Sequence, residues 1–263
     1  LTYPNSQTII EASWNWPIGR KDMEIYGLAG AIFAQNLEGA WKLTHQNGKE
    51  VKDKTFIKIY QDGYFSFGAK ETDTNKFISA GGGEFTLKDN YYTEMYDFYT
   101  SDKEMVGETT EFSLDMVDGK IVISTERGGS ALVEIWEKVS DAKDDLTRNW
   151  VITGRKRDED ISRSTPGARR TIKILSGGHF QWVAFNSETK EFSGTGGGTY
   201  SAKDGKYVEN IQFFSRDDSR VGASLDFNYE VIDGEWHHSG MSSTGNPIYE
   251  IWTKYSDAYT KPT

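Results

Sequence analysis

Two lysines, two tyrosines and two glutamates recur at matched places in this 263-residue chain: Lys58, Tyr92 and Glu94 in its first half, Lys173, Tyr207 and Glu209 in its second. Each lysine interrupts a pair of isoleucines, in Ile57-Lys58-Ile59 and Ile172-Lys173-Ile174, and each glutamate stands between a tyrosine and a phenylalanine, Phe98 or Phe213. On a β-strand every second residue shares a face, so Tyr92, Glu94 and Phe98 are expected on one side, as are Tyr207, Glu209 and Phe213. A carboxylate held among aromatic rings is costly unless it is paired. Lys58 with Glu94 and Lys173 with Glu209 are therefore candidate pairs. Such a pair can satisfy itself, or each charge can point to solvent. It can also anchor the polar head of a ligand whose apolar body lies against Phe65, Phe67 and Phe98, or against Phe180, Trp182 and Phe213.

The halves differ in residues able to move protons. Where the first has Tyr64 and Ile121-Val122-Ile123, the second has His179 and Trp236-His237-His238, and it adds Arg169 and Arg170. Histidine titrates in the range useful to a general base, so His179, Glu209 and Arg170 are the catalytic candidates for an isomerase or hydrolase of small molecules. His237 and His238 are neighbours and face opposite ways on a strand, so no metal site is expected from them. No nucleophile elbow, phosphate-binding loop, zinc-protease helix or dinucleotide fingerprint occurs, and no cofactor is implied. The chain has no cysteine, which removes thiolate chemistry and the usual structural zinc.

These residues are positioned by a duplicated unit. Gly81-Gly82-Gly83 falls on Gly196-Gly197-Gly198, and the same displacement carries Gly63 and Phe65 onto Gly178 and Phe180, Lys88-Asp89 onto Lys203-Asp204, and Asp118-Gly119 onto Asp233-Gly234. With one inserted residue, Glu134-Ile135-Trp136 then matches Glu250-Ile251-Trp252, and Leu37 to Trp41 can be laid on Leu146 to Trp150. The polar stretch from Arg155 to Arg169 reads as an enlarged loop of the second copy. Two domains of ordinary size follow, 37–142 and 146–258, behind an N-terminal extension, 1–36, in which a short helix is expected over 27–34.

Within a copy, alternating runs and turn signals succeed each other about every ten residues, the pattern of an antiparallel barrel or sandwich. Eight runs are expected in the first copy, over 40–45, 54–61, 63–69, 76–87, 91–100, 105–117, 120–126 and 131–139. Short connections favour an up-and-down meander, and closing eight strands removes exposed edges. The glycine triplet then serves a sharp bend with close backbone approach, because a phosphate loop would need a helix after it. Trp136 and Trp252, each with a lysine two residues on, are expected to pack against the stem of Lys138 or Lys254.

Gly39-Ala40-Trp41 opening the first strand, the eight-stranded meander, and a last strand carrying Trp136 and Lys138 resemble the lipocalin-like (calycin) barrels. The GGG-x-aromatic strand followed by Tyr-x-Glu is similar to uncharacterised lipocalin-like domains of exported bacterial proteins. The resemblance implies an all-β fold of two tandem antiparallel eight-stranded up-and-down barrels, an early Gly-x-Trp beneath a basic residue near the barrel's end, and a secreted or periplasmic location. Arg148 stands where a strict Gly-x-Trp pattern would place glycine. The first expectation for function is a binding protein enclosing a small, partly apolar ligand. The alternatives are the enzyme described above and a carbohydrate or protein interaction module with filled barrels. A net charge of -10 disfavours nucleic acid, no apolar run is long enough to span a membrane, and oligomeric state stays open.

Overall fold

The computed structural model describes residues 37–127, 130–157, 160–242 and 245–261, and the helix expected over 27–34 lies outside them. The first copy forms strands β1 (Gly39–Gln46), β2 (Lys49–Glu50), β3 (Lys54–Gln61), β4 (Tyr64–Glu71), β5 (Phe77–Lys88), β6 (Tyr91–Tyr99), β7 (Thr109–Val117), β8 (Lys120–Arg127) and β9 (Ser130–Ser140). Each long strand pairs with the next in antiparallel fashion, and β1 also pairs with β9, which closes the barrel. The second copy repeats this with β10 (Arg148–Arg157), β11 (Asp160–Arg163), β12 (Arg169–Ser176), β13 (His179–Asn186), β14 (Glu191–Lys203), β15 (Lys206–Phe214), β16 (Ser224–Ile232), β17 (Glu235–Met241) and β18 (Pro247–Lys254), closed by β10 on β18. The chain is thus two closed antiparallel barrels of eight long strands in tandem, and no helix among the described residues is long and apolar enough to cross a membrane.

Local chemistry accounts for most boundaries. Tight hairpins need positive φ at both central residues, and Asp118 and Asp233 with the glycines after them supply it. Two expectations need correction. The run expected over 105–117 starts as strand only at Thr109, because Asp102 caps a 3-10 turn over Lys103–Met105 by accepting from the Glu104 N–H. The polar stretch after Arg155 is not simply a loop: β10 runs on to Arg157 and pairs with β11, so that Gly154 faces Arg163.

Side chains from alternating positions build the core of each barrel. Trp41, Phe65, Tyr92 and Trp136 meet in the first, and Trp150, Phe180, Tyr207, Trp236 and Trp252 in the second, at about 1.5–3 kcal/mol for a fully buried residue of phenylalanine size. A third apolar cluster joins the barrels: Ile57 and Ile59 of β3 meet Ile172 and Ile174 of β12, with Phe98 and Phe185 beside them. Equivalent strands face each other, so the interface is approximately two-fold. Gln61 and Ser176, which occupy the same place in the two copies, hydrogen-bond to one another at 2.8 Å.

Candidate functional site

The alternation of β3 turns Phe56, Lys58 and Tyr60 into the first barrel, and β6 sends Tyr92, Glu94 and Tyr96 in to meet them. Lys58 Nζ donates to Glu94 Oε1 at 2.6 Å, with both side chains buried. The Tyr92 hydroxyl donates to the same oxygen at 2.7 Å, and the Tyr96 hydroxyl to Glu94 Oε2 at 2.6 Å. Tyr60 and Tyr92 share a further bond at 3.1 Å. The ammonium lies 5.1 Å from the Trp136 ring, 5.3 Å from Phe65 and 5.9 Å from Phe67, within cation–π range of each. Burial alone would lower the Lys58 pKa, but Glu94, Tyr60 and Glu134 together raise it above its ordinary value, so the lysine stays charged. Burial, reinforced by Glu94, holds the Tyr92 and Tyr96 phenols well above theirs. The network is closed on itself.

In the second barrel Lys173 Nζ meets Glu209 Oε1 at 2.7 Å, and the Tyr207 hydroxyl donates to that oxygen at 2.9 Å. Leu175 and Ile211 replace Tyr60 and Tyr96, so the two further hydroxyls of the first barrel have no counterpart. Trp236 and His238 take the places of Ile121 and Ile123, and both point inward. Lys173 Nζ lies 5.2 Å from each of the Trp236 and Trp252 rings, and His238 packs against Tyr207, Phe227 and Trp236. Trp236 Nε1, Trp252 Nε1 and both His238 ring nitrogens are buried without a hydrogen-bond partner; His238 Nδ1 stands 3.5 Å from Glu250 Oε2, in ion-pair range but long for a hydrogen bond. Burial, helped by Lys173, lowers the His238 pKa against the pull of Glu250. His237, its neighbour, faces the other way and meets the Tyr249 hydroxyl at 2.9 Å. Among the described residues no group of three or more metal-ligating side chains converges.

Lys58, Phe65, Phe67, Tyr92 and Glu94 therefore share one interior, and Lys173, Phe180, Tyr207 and Glu209 the other, with Trp182 half-buried at its edge. Phe98 and Phe213 do not join them, which corrects the face expected from simple alternation. A bulge sets Gly82 opposite Phe98 but Gly83 opposite Tyr96, and a matching one sets Gly197 opposite Phe213 but Gly198 opposite Ile211. The extra residues, Asp97 and Gln212, shift the alternation by one, so both phenylalanines turn out toward the other barrel. The glycines permit this: a Cβ on Gly83 would run into the Met95 carbonyl, and one on Gly198 into that of Asn210.

The catalytic grouping is also corrected. His179 and Arg170 point outward on strands whose inward residues are Phe180 and Lys173, so neither shares a face with Glu209. Arg170 belongs to a lock between the barrels: it donates to Asp97 Oδ2 at 2.8 Å and lies 4.6 Å from the Phe185 ring and 4.1 Å from that of Tyr259. Tyr64, Tyr255 and Lys261 complete the donors to Asp97. The lysine over Trp136 is Lys58, while Lys138 covers Trp41 at 5.0 Å. Sequence reasoning missed Tyr60 and Tyr96, although each lies two residues from a named polar residue on the same strand. It had no signal for Asp97, whose role exists only through the bulge.

No protein-family model matches the chain, and no curated protein matches it either.

Proposed function

We propose that the protein binds a small, partly apolar molecule, that the second barrel receives it, and that the first serves as its scaffold. The observation that carries this reading is the contrast between two interiors built on one plan. In the first, Lys58, Glu94 and three tyrosine hydroxyls satisfy one another, and Trp136 Nε1 donates to Glu134 at 3.2 Å. In the second, two indole N–H groups are buried without hydrogen-bond partners, each at a cost of about 1–3 kcal/mol, and the buried His238 imidazole has only a long contact, 3.5 Å, to Glu250. A duplicated fold with a satisfied alternative at hand retains such groups where something else satisfies them.

The ends of the barrels support the same assignment. Val51, Phe56 and Met105 pack over the first core. The positions of Phe56 and Met105 hold Thr171 and Arg220 in the second copy, which removes those two apolar side chains from its barrel end. The calycin resemblance is supported by the closed up-and-down strand order and by Lys138 over Trp41, and eight-stranded barrels of this kind either fill or hold one small ligand. Gentle native mass spectrometry, with extraction of bound material, tests the proposal. One molecule per chain is expected, and it should be lost when Trp236→Ile and His238→Ile give the second barrel the first barrel's residues. An empty wild-type chain, or equal retention by the variant, would overturn it.

A further inference from the structure

The first barrel carries a phenol of its own, and its surroundings are repeated in the second. Tyr96 sets its ring 5.4 Å from Phe65 and 5.0 Å from Tyr99, and its hydroxyl donates to Glu94 Oε2 at 2.6 Å. In the second barrel Ile211 takes the place of Tyr96, while the residues that receive its ring and hydroxyl are kept: Phe180 for Phe65, Phe214 for Tyr99 and Glu209 for Glu94. Glu209 is then only half used. Lys173 Nζ and the Tyr207 hydroxyl both donate to Oε1, and among the described residues nothing donates to Oε2, although the side chain is only 5% exposed. Phe180 is fully buried, yet among the described residues no aromatic ring stacks on it or meets it edge-on.

Donors are left over in the same interior. Trp236 Nε1 and Trp252 Nε1 are buried without a partner, on rings that both lie 5.2 Å from Lys173 Nζ, the ammonium that holds Glu209. A hydroxyl answers both shortages, because it donates once and also accepts. A carboxylate brings no donor and meets Glu209 as a like charge. The barrel end beside Ile211 has also lost its cover. In the first copy the Gly107 N–H bonds to the Tyr96 carbonyl, and Met105 packs over the core next to it. The Gly222 N–H bonds to the Ile211 carbonyl in the same way, but Arg220, the counterpart of Met105, pairs with Asp217 at the surface. Phe56, stacked on Phe67 at 4.8 Å, is replaced by Thr171.

We infer that the molecule received by the second barrel is a monocyclic phenol. Its ring rests on Phe180 and Phe214 as that of Tyr96 rests on Phe65 and Tyr99, and its hydroxyl donates to Glu209 Oε2 while accepting from Trp236 or Trp252 Nε1. This rests on the second barrel being the occupied one, and adds the chemistry of the occupant. The ligand supplies from outside what Tyr96 supplies from within the chain.

The probe is p-cresol, the tyrosine side chain as a free molecule, titrated calorimetrically into the full chain at neutral pH. One site with a Kd of about 1 mM or tighter is expected from its few heavy atoms. The Trp236 or Trp252 indole N–H should show a saturable NMR shift. 4-Methylanisole, which keeps the ring and the oxygen but not the donor, should bind about tenfold more weakly. Ile211→Tyr copies the first barrel and should abolish binding. Phe214→Leu, a milder change at a half-buried position, should weaken it about fivefold. No binding of p-cresol at about ten times the expected Kd, equal binding of 4-methylanisole, or undiminished binding by both variants would overturn the inference. If native mass spectrometry then still recovers another molecule, lost from the variant carrying Trp236→Ile and His238→Ile, the second barrel stands as the binding site and only the phenol falls.

Discussion

Lys58 and Glu94 bury opposite charges where neither could remain alone. Replacing Lys58 by Met leaves Glu94 buried with only hydroxyl donors, and the expected cost is about 3–5 kcal/mol in urea unfolding. Replacing Glu94 by Leu as well should recover most of that loss; equal losses in the single and double variants would mean that the charges are not coupled. In the second barrel the informative residue is His238, beside Lys173, Glu209, Glu250 and Tyr207. Its folded pKa lies below the unfolded value of about 6.5, so unfolding takes up a proton in the interval between them. Stability should be level above about pH 7 and fall as the pH drops below about 6.5 toward the folded value. His238→Ile should flatten part of that slope, the remainder coming from His179, whose pKa is lowered by burial as well. An unchanged slope in the variant would show that His238 does not titrate there.

At the scale of the element, the decisive device is the glycine-dependent bulge between β5 and β6 and its repeat between β14 and β15. It keeps Glu94 and Tyr96 inside, pushes Asp97 out as the extra residue, and aims Phe98 at the other barrel. Gly83→Ala sets a Cβ against backbone, which cannot yield, and should cost about 3 kcal/mol in denaturant unfolding. Gly81→Ala meets the rings of Phe67 and Tyr99, which can shift, and should cost less. The reverse order would mean that the backbone approach at Gly83 is not the constraint. The glycine triplet and its repetition are plain in the sequence. What it does to the face of Phe98 is not, because one extra residue in a strand leaves no mark on the alternation read along that strand alone.

At the scale of the whole molecule, the barrels behave as one body only if their interface holds. Asp97 is almost fully buried there and accepts from Arg170, Lys261, Tyr64 and Tyr255. Arg170→Met leaves the aspartate with weaker partners and should cost about 3–5 kcal/mol. It should also divide a single calorimetric transition into two, since each barrel has its own core. Retention of one sharp transition would show that the apolar cluster of Ile57, Ile59, Ile172 and Ile174 couples the barrels unaided.

Duplication, strand number and turn positions were determined by the sequence, which also offered Lys58 with Glu94 and Lys173 with Glu209 as candidate pairs that the structure then brought together. Each rests on residues close together in the chain or on agreement between copies that share one plan. Tertiary structure alone decided what crosses from strand to strand and from barrel to barrel: the shifted face of Phe98 and Phe213, the removal of His179 and Arg170 from the neighbourhood of Glu209, and the lock that Arg170 and Asp97 form across the interface. The physical reason is that a hydrogen-bond register and a packed interface are relations between distant segments. A single bulged residue reverses the direction of every side chain after it until the strand ends.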